Sequence, residues 1–147
     1  CLIGIYRRGY PLAKKIAESI TNFSDIKVSV GSLDITFYRD DLSKVLQTPV
    51  VNETKFDFSI EKKVVILVDD VIYTGRTTRA AMDAVINLGR PSKIQLAVLV
   101  DRGHRELPIK GDYIGKNVPT SHDETIKVLL PPFEEKTQVE IWERQAD

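Results

Sequence analysis

The sequence predicts an α/β protein built on a doubly wound, mainly parallel sheet. Three observations carry this reading. Lys63–Val68 (KVVILV) and Ile94–Val100 (IQLAVLV) are unbroken apolar runs, as expected of parallel strands buried on both faces. Between them, Ala80, Ala81, Ala84, Val85 and Leu88 recur at helical spacing. Strand, helix and strand in that order imply a right-handed βαβ unit. The chain has 147 residues, too few for two comfortable cores, so a single domain over residues 1–147 is expected.

The other elements follow in order. Cys1–Tyr6 (CLIGIY) reads as a buried strand from its first residue, with no initiating Met, so an N-terminal segment is expected to precede it. Arg7-Arg8-Gly9-Tyr10-Pro11 reads as a turn. Leu12, Ala13, Ile16, Ala17 and Ile20 then mark an amphipathic helix, with Pro11 suited to its first turn. Lys27–Tyr38 alternates for much of its length, which predicts a strand with one wetter face. Asp40–Glu61 has no sustained period. A loop of about twenty residues is long for a compact domain and reads as a lid or mobile hairpin. Gly89 and Pro91 stop the helix after Leu88. Beyond Asp101 a basic stretch containing Gly and Pro runs to Pro119, followed by two short strands, Thr125–Leu130 and Gln138–Trp142.

Composition excludes several classes of function. Lys plus Arg and Asp plus Glu both total 21, so the net charge is zero and a uniform cationic coat for nucleic acid is absent. A local basic patch stays open. The single cysteine, Cys1, excludes an internal disulfide and a cysteine-only cluster; it reads as a small apolar side chain. Two histidines, His104 and His122, do not argue for zinc, and His122 reads as an exposed loop residue. Trp142 reads as packing. No apolar run could span a bilayer and no secretory leader is visible, so no membrane role and a reducing cytoplasm are expected.

The chemistry sits in Val64–Thr78 (VVILVDDVIYTGRTT). Asp69 and Asp70 fall where a buried parallel strand ends, the edge at which open α/β sheets bind ligands. Thr74, Gly75, Arg76, Thr77 and Thr78 follow where a helix must begin. There Gly permits close backbone approach, while free N–H groups and the helix dipole attract phosphate. Thr hydroxyls add donors and also suit N-capping. Two carboxylates would repel a phosphate but accept hydrogen bonds well from sugar hydroxyls. Together the run describes a ribose 5′-phosphate. The Asp-Asp pair alone reads equally well as a solvated loop with a helix cap. The run is no Walker loop, because the spaced Gly and following Lys are missing.

Four apolar residues, two acids, a spacer and Thr-Gly-x-Thr resemble the phosphoribosyl-pyrophosphate (PRPP) motif of type I phosphoribosyltransferases. Leu33–Leu42 (LDITFYRDDL), Val98–Pro108 (VLVDRGHRELP) and Asp112–Ser121 (DYIGKNVPTS) narrow the resemblance to the PyrR family of bacterial pyrimidine-operon regulators with uracil phosphoribosyltransferase activity. The resemblance runs from Cys1 to about Leu130. It implies the type I fold, with a small hood formed partly by residues 102–130. Family members usually begin with a helix before the first strand, which this chain lacks.

The resemblance assigns roles residue by residue. Arg7, Arg8 and Gly9 match the family's pyrophosphate loop, which can hold a non-proline cis peptide. Their bland alternative is a polar turn opening a helix. Arg39 opens a loop that folds over pyrophosphate, shielding an oxocarbenium-like sugar from water; the bland alternative is a surface hairpin. Asp69 and Asp70 hold the ribose hydroxyls. Val71, Ile72, Tyr73 and Thr74–Thr78 form the nucleotide loop. Arg8, Arg39 and Arg102 offset the charge of leaving pyrophosphate. Mg2+ arrives on the substrate, without a side-chain ligand of its own. Ile126 falls in a region that reads uracil by backbone groups, while its residue type by itself favours a strand-core position. Purine-salvage relatives carry Asp where Tyr73 stands, which argues against a purine.

The implied partners are PRPP, uracil, UMP or UTP, and a pyr messenger-RNA leader, with a homodimer or higher homo-oligomer. His104, Arg105, Lys110 and Lys116 are the expected RNA contacts. On charge alone that stretch is an ordinary solvated rim. The competing reading is a phosphoribosyltransferase for another base, with no RNA role.

Overall fold

The computed structural model describes residues 1–36 and 56–144. In chain order the elements are β1 (Leu2–Ile5), α1 (Gly9–Ser24), β2 (Val30–Leu33), β3 (Val64–Ile72), α2 (Arg76–Leu88), β4 (Lys93–Asp101), β5 (Tyr113–Asn117), β6 (Glu124–Leu129) and β7 (Gln138–Glu143). The first five strands form one sheet in the order β2-β1-β3-β4-β5. Every neighbouring pair in it is parallel. β6 and β7 form a separate antiparallel hairpin, with Ile126 opposite Ile141.

Binary patterning explains the two layers. On β3, Val65 and Leu67 join Ala81, Ala84 and Val85 of α2 in one core cluster. Val68 joins Leu12, Ala13 and Ala17 of α1 on the opposite face, along with Ile126 and Val128 of the hairpin. Burying each such aliphatic side chain contributes roughly 1.5–3 kcal/mol. Alternate residues of one apolar run thus feed two cores, which is why the run shows no wet face.

Several expectations change. α1 starts at Gly9, inside the expected turn, and Pro11 lies in its first turn. β2 spans only Val30–Leu33 of the expected Lys27–Tyr38 strand, and residues 31–35 are all buried. Leu33 and Ile35 face one cluster while Val28 and Val30 face the other, so the alternation serves two covered faces. β3 runs through the acid pair to Ile72 instead of stopping before it. β5, which lies in the stretch expected to be hood, joins the main sheet beside β4. Its short, exposed pattern YIGKN gave no periodic signal. Trp142 is 48% exposed, not packed in a core. Cys1 is half-buried beside the α2-side cluster, and His122 is exposed.

The sheet order places a topological switch point between β1 and β3. From β1 the chain winds outward to β2, and from β3 outward to β4 and β5. The carboxyl ends of β1 and β3 therefore flank the crevice where ligands bind in doubly wound folds.

Candidate active site

Two consecutive residues of a strand ordinarily point to opposite faces. Asp69 and Asp70 instead line one cavity of about 470 Å³ at the switch point. The β3–β4 ladder explains this. Pairing runs in register to Asp69↔Val98 and resumes at Val71↔Val100. Across this step Val71 packs on the α1 side, with Val68, and Ile72 on the α2 side. The carboxylates hold the irregular backbone themselves. Asp69 accepts the Asp70 N–H at 2.9 Å and Asp70 accepts the Val71 N–H at 2.8 Å.

Tyr6, Arg7 and Arg8, after β1, form the opposite wall, and Asp34, Ile35 and Thr36, after β2, form the flank. The Tyr6–Arg7 peptide is cis, as the resemblance implied for this loop. Gly9 is needed for close approach. A Cβ there would fall inside contact distance of the Val68 carbonyl oxygen, so α1 could not seat against β3.

A second cavity, of about 320 Å³, is enclosed by Val71–Thr78 and Glu106. Gly75 is the N-cap of α2 with φ 96°, a left-handed backbone, and no side chain caps the helix. Thr74 instead accepts the Arg76 N–H at 3.2 Å. The helix start thus leaves N–H groups for an anion. The segment after β4 braces this loop from behind. Glu106 and Leu107 N–H groups donate to the Thr74 carbonyl at 2.9 and 3.2 Å. Arg105 donates to the Tyr73 carbonyl at 2.8 Å, and Arg76 pairs with Glu106 at 2.9 Å. Gly75→Val is expected to weaken PRPP binding about tenfold or more, measured by calorimetry. A Cβ would have room, with neighbours at 3.5 Å or beyond, but a β-branched residue at this φ costs about 1–3 kcal/mol. Thr77→Ala, which removes one hydroxyl donor, should lose less.

Two of the arginines expected to meet anions are engaged on their own chain. Arg102 is 6% exposed and does not line the Asp69–Asp70 cavity. Its guanidinium lies 3.9 Å from the Tyr73 ring centroid and donates to Thr120 Oγ1 at 3.0 Å and to the Ser121 and Glu124 carbonyls. It ties the start of β6 to the loop at Tyr73, a buried role that charge alone could not reveal. Arg105 is likewise held, by Asp101 at 2.6 Å. Burial works against ionising Asp101, but the Arg105 guanidinium and the Gly103 N–H outweigh it and hold its pKa below the ordinary value. His104 bonds the Thr120 carbonyl through Nε2 at 2.5 Å, and its ring centroid lies 4.0 Å from that of His122, the planes tilted by 50°. Lys110 and Lys116 are exposed. Arg39 lies outside the described residues.

A third cavity, of about 470 Å³, shares Arg8 and Asp70 with the first and is roofed by the hairpin. Ile126 lines it while remaining a core residue at 8% exposure, so both readings of it meet here. Glu134, Glu140 and Trp142 line it as well. Sequence reasoning missed all three as site residues, along with Glu106 and Asp34. Glu134, Glu140 and Trp142 stand in a tail without a motif, and only the return of the chain brings them to Asp70.

A phosphoribosyl transferase domain model matches residues 1–129. The chain is 57% identical over 143 residues to the bifunctional protein PyrR of Clostridium novyi, covering 97% of this chain and 80% of that protein. It is 56% identical over 145 residues to the bifunctional protein PyrR of Thermus thermophilus, covering 99% and 80%. The chain belongs to the PyrR family of phosphoribosyltransferases. The PyrR-type fold also resembles more distant enzymes. The hypoxanthine phosphoribosyltransferase of Trypanosoma cruzi superposes with a TM-score of 0.70 at 17% identity, over 98% of this chain and 76% of that one. One from Staphylococcus aureus gives 0.62 at 21%, over 85% and 63%. These likenesses establish the type I fold and its α/β sheet. Among the described residues, no helix is long and apolar enough to cross a membrane.

Proposed function

We propose that this chain transfers the phosphoribosyl group of PRPP to uracil, giving UMP and pyrophosphate, and binds a pyr messenger-RNA leader in response to uridine nucleotides. The observation that carries the transfer reading is the continuity of three cavities, the second sharing Val71 and Thr77 with the first and the third sharing Arg8 and Asp70 with it. The phosphate loop, the acid pair and the Arg7–Arg8 loop stand in the order of a 5′-phosphate, a ribose and a pyrophosphate. The 56–58% identity to PyrR proteins supports both halves.

The residues divide the reaction among them. N–H groups of Thr74–Thr78 hold the 5′-phosphate, and the carboxylates of Asp69 and Asp70 accept hydrogen bonds from the 2′- and 3′-hydroxyls. This fixes the ribose so that C1′ lies between leaving group and base. The C1′–oxygen bond to pyrophosphate breaks with its electron pair on the leaving oxygen, and uracil N1 forms the new bond while its proton passes to water. Arg7 and Arg8 offset the growing charge on pyrophosphate. Tyr73, with its ring under Arg102, offers no carboxylate to a purine. Mg2+ would arrive on the substrate. Bound there, Mg2+ would neutralise pyrophosphate oxygens.

The test is transfer of labelled PRPP to uracil, with hypoxanthine and orotate as competitors. Turnover of either competitor with none of uracil would overturn the base assignment. For RNA, exposed Lys110 and Lys116 are the residues to change, because the guanidinium of Arg105 is engaged on its own chain. Lys110→Gln with Lys116→Gln should weaken leader-RNA binding and flatten the slope of log affinity against log salt by about 0.7–1 per lost phosphate contact. Uracil turnover should be unchanged. Equal loss of both activities would place these lysines in the fold instead.

A further inference from the structure

The pyrophosphate loop does not present its cations freely. Arg8 forms an ion pair with Glu134, which stands 126 residues further along the chain. The Glu134 carboxylate is itself fixed, since its second oxygen accepts the Leu130 N–H at 2.8 Å. The preceding residue completes the contact. Arg7 lies 4.1 Å from the Phe133 ring centroid, and Tyr6 meets the same ring edge-on at 6.4 Å. Tyr6, Arg7 and Arg8 thus each touch Phe133 or Glu134, at the tip of the segment joining β6 to β7.

Building on the transferase reading, we propose that Glu134 is a positioning residue that occupies Arg8 while the pyrophosphate subsite is empty, and that pyrophosphate must displace it. A carboxylate and a pyrophosphate oxygen offer the same guanidinium the same kind of charge-assisted hydrogen bond. Binding pyrophosphate therefore exchanges one ion pair for another instead of creating one. The exchange limits the affinity for pyrophosphate, and its reversal helps expel the product. It also ties the hairpin that roofs the third cavity to the state of the pyrophosphate loop.

The experiment is calorimetric titration of magnesium pyrophosphate into wild type, Glu134→Gln, Arg8→Gln and the double variant, with PRPP kinetics alongside. The amide keeps the size and loses the charge. Glu134→Gln should bind pyrophosphate about tenfold tighter than wild type, a difference of about 1.4 kcal/mol. Its KM for PRPP and its kcat should fall together, as release slows. In the Arg8→Gln background the same change should alter affinity by less than about twofold, because the partner through which Glu134 acts is gone. Glu134→Gln that binds pyrophosphate no tighter than wild type would overturn the proposal. An equal gain in both backgrounds would overturn it too, since it would show simple repulsion. Wild type that binds neither pyrophosphate nor PRPP would instead overturn the transferase reading on which this rests.

Discussion

Asp70→Asn is expected to lower kcat/KM for uracil transfer by about 10²-fold or more while the protein folds normally. Asp70 lies at the cavity shared by the proposed ribose, pyrophosphate and base subsites, and is only partly buried. A hydrogen bond to a charged group contributes about 1.5–3 kcal/mol, and each 1.4 kcal/mol is tenfold in rate. Losing the charge weakens the bonds to ribose hydroxyls and removes a negative field beside a sugar that becomes cationic. The amide oxygen can still accept the Val71 N–H that shapes the strand here, so the thermal midpoint should move little. Unchanged kinetics would remove Asp70 from the site, and a collapsed melting transition would make it a structural residue.

The second large effect is expected at Gly9. Gly9→Ala adds one methyl group where the N-terminus of α1 crosses β3, against the carbonyl oxygen of Val68. That oxygen belongs to the backbone of a central strand and cannot rotate away. Overpacking of this kind costs about 1–3 kcal/mol, enough to lower the melting midpoint by roughly 2–12 °C in a chain of this size. Any relief must move Arg7 and Arg8 away from Asp69 and Asp70, so pyrophosphate affinity should fall as well. Differential scanning calorimetry with a pyrophosphate titration checks both. A normal melt with normal affinity would show that the close approach is dispensable.

Much of this site was legible in the linear chain because its chemistry is local. Val64–Thr78 carries its own strand, acid pair, turn and helix start, and the backbone there needs only neighbours in sequence to take shape. The structure kept that reading and extended β3 through the acids. The amphipathic faces of α1 and α2 were likewise set by the spacing of Leu12, Ala13, Ala17, Ala81, Ala84 and Val85. β5 escaped notice because an edge strand with exposed side chains has no apolar period to detect.

What the sequence determined by itself is the identity and order of the groups proposed to face the ligand: Arg7–Gly9 after the first strand, Asp69 and Asp70 towards the end of the third, and the Gly75 loop beyond them. Tertiary structure alone decided which charges those groups keep. Arg8 meets Glu134, Arg105 meets Asp101 and the Tyr73 carbonyl, and Arg102 is buried against Thr120 and Glu124. Tertiary structure also turned both aspartates into one cavity. The physical reason is that a side chain's type travels with the chain, whereas its electrostatic partner is chosen by whatever the fold returns to it. For Arg8 that partner came from a hairpin at the far end, where no local pattern could announce it.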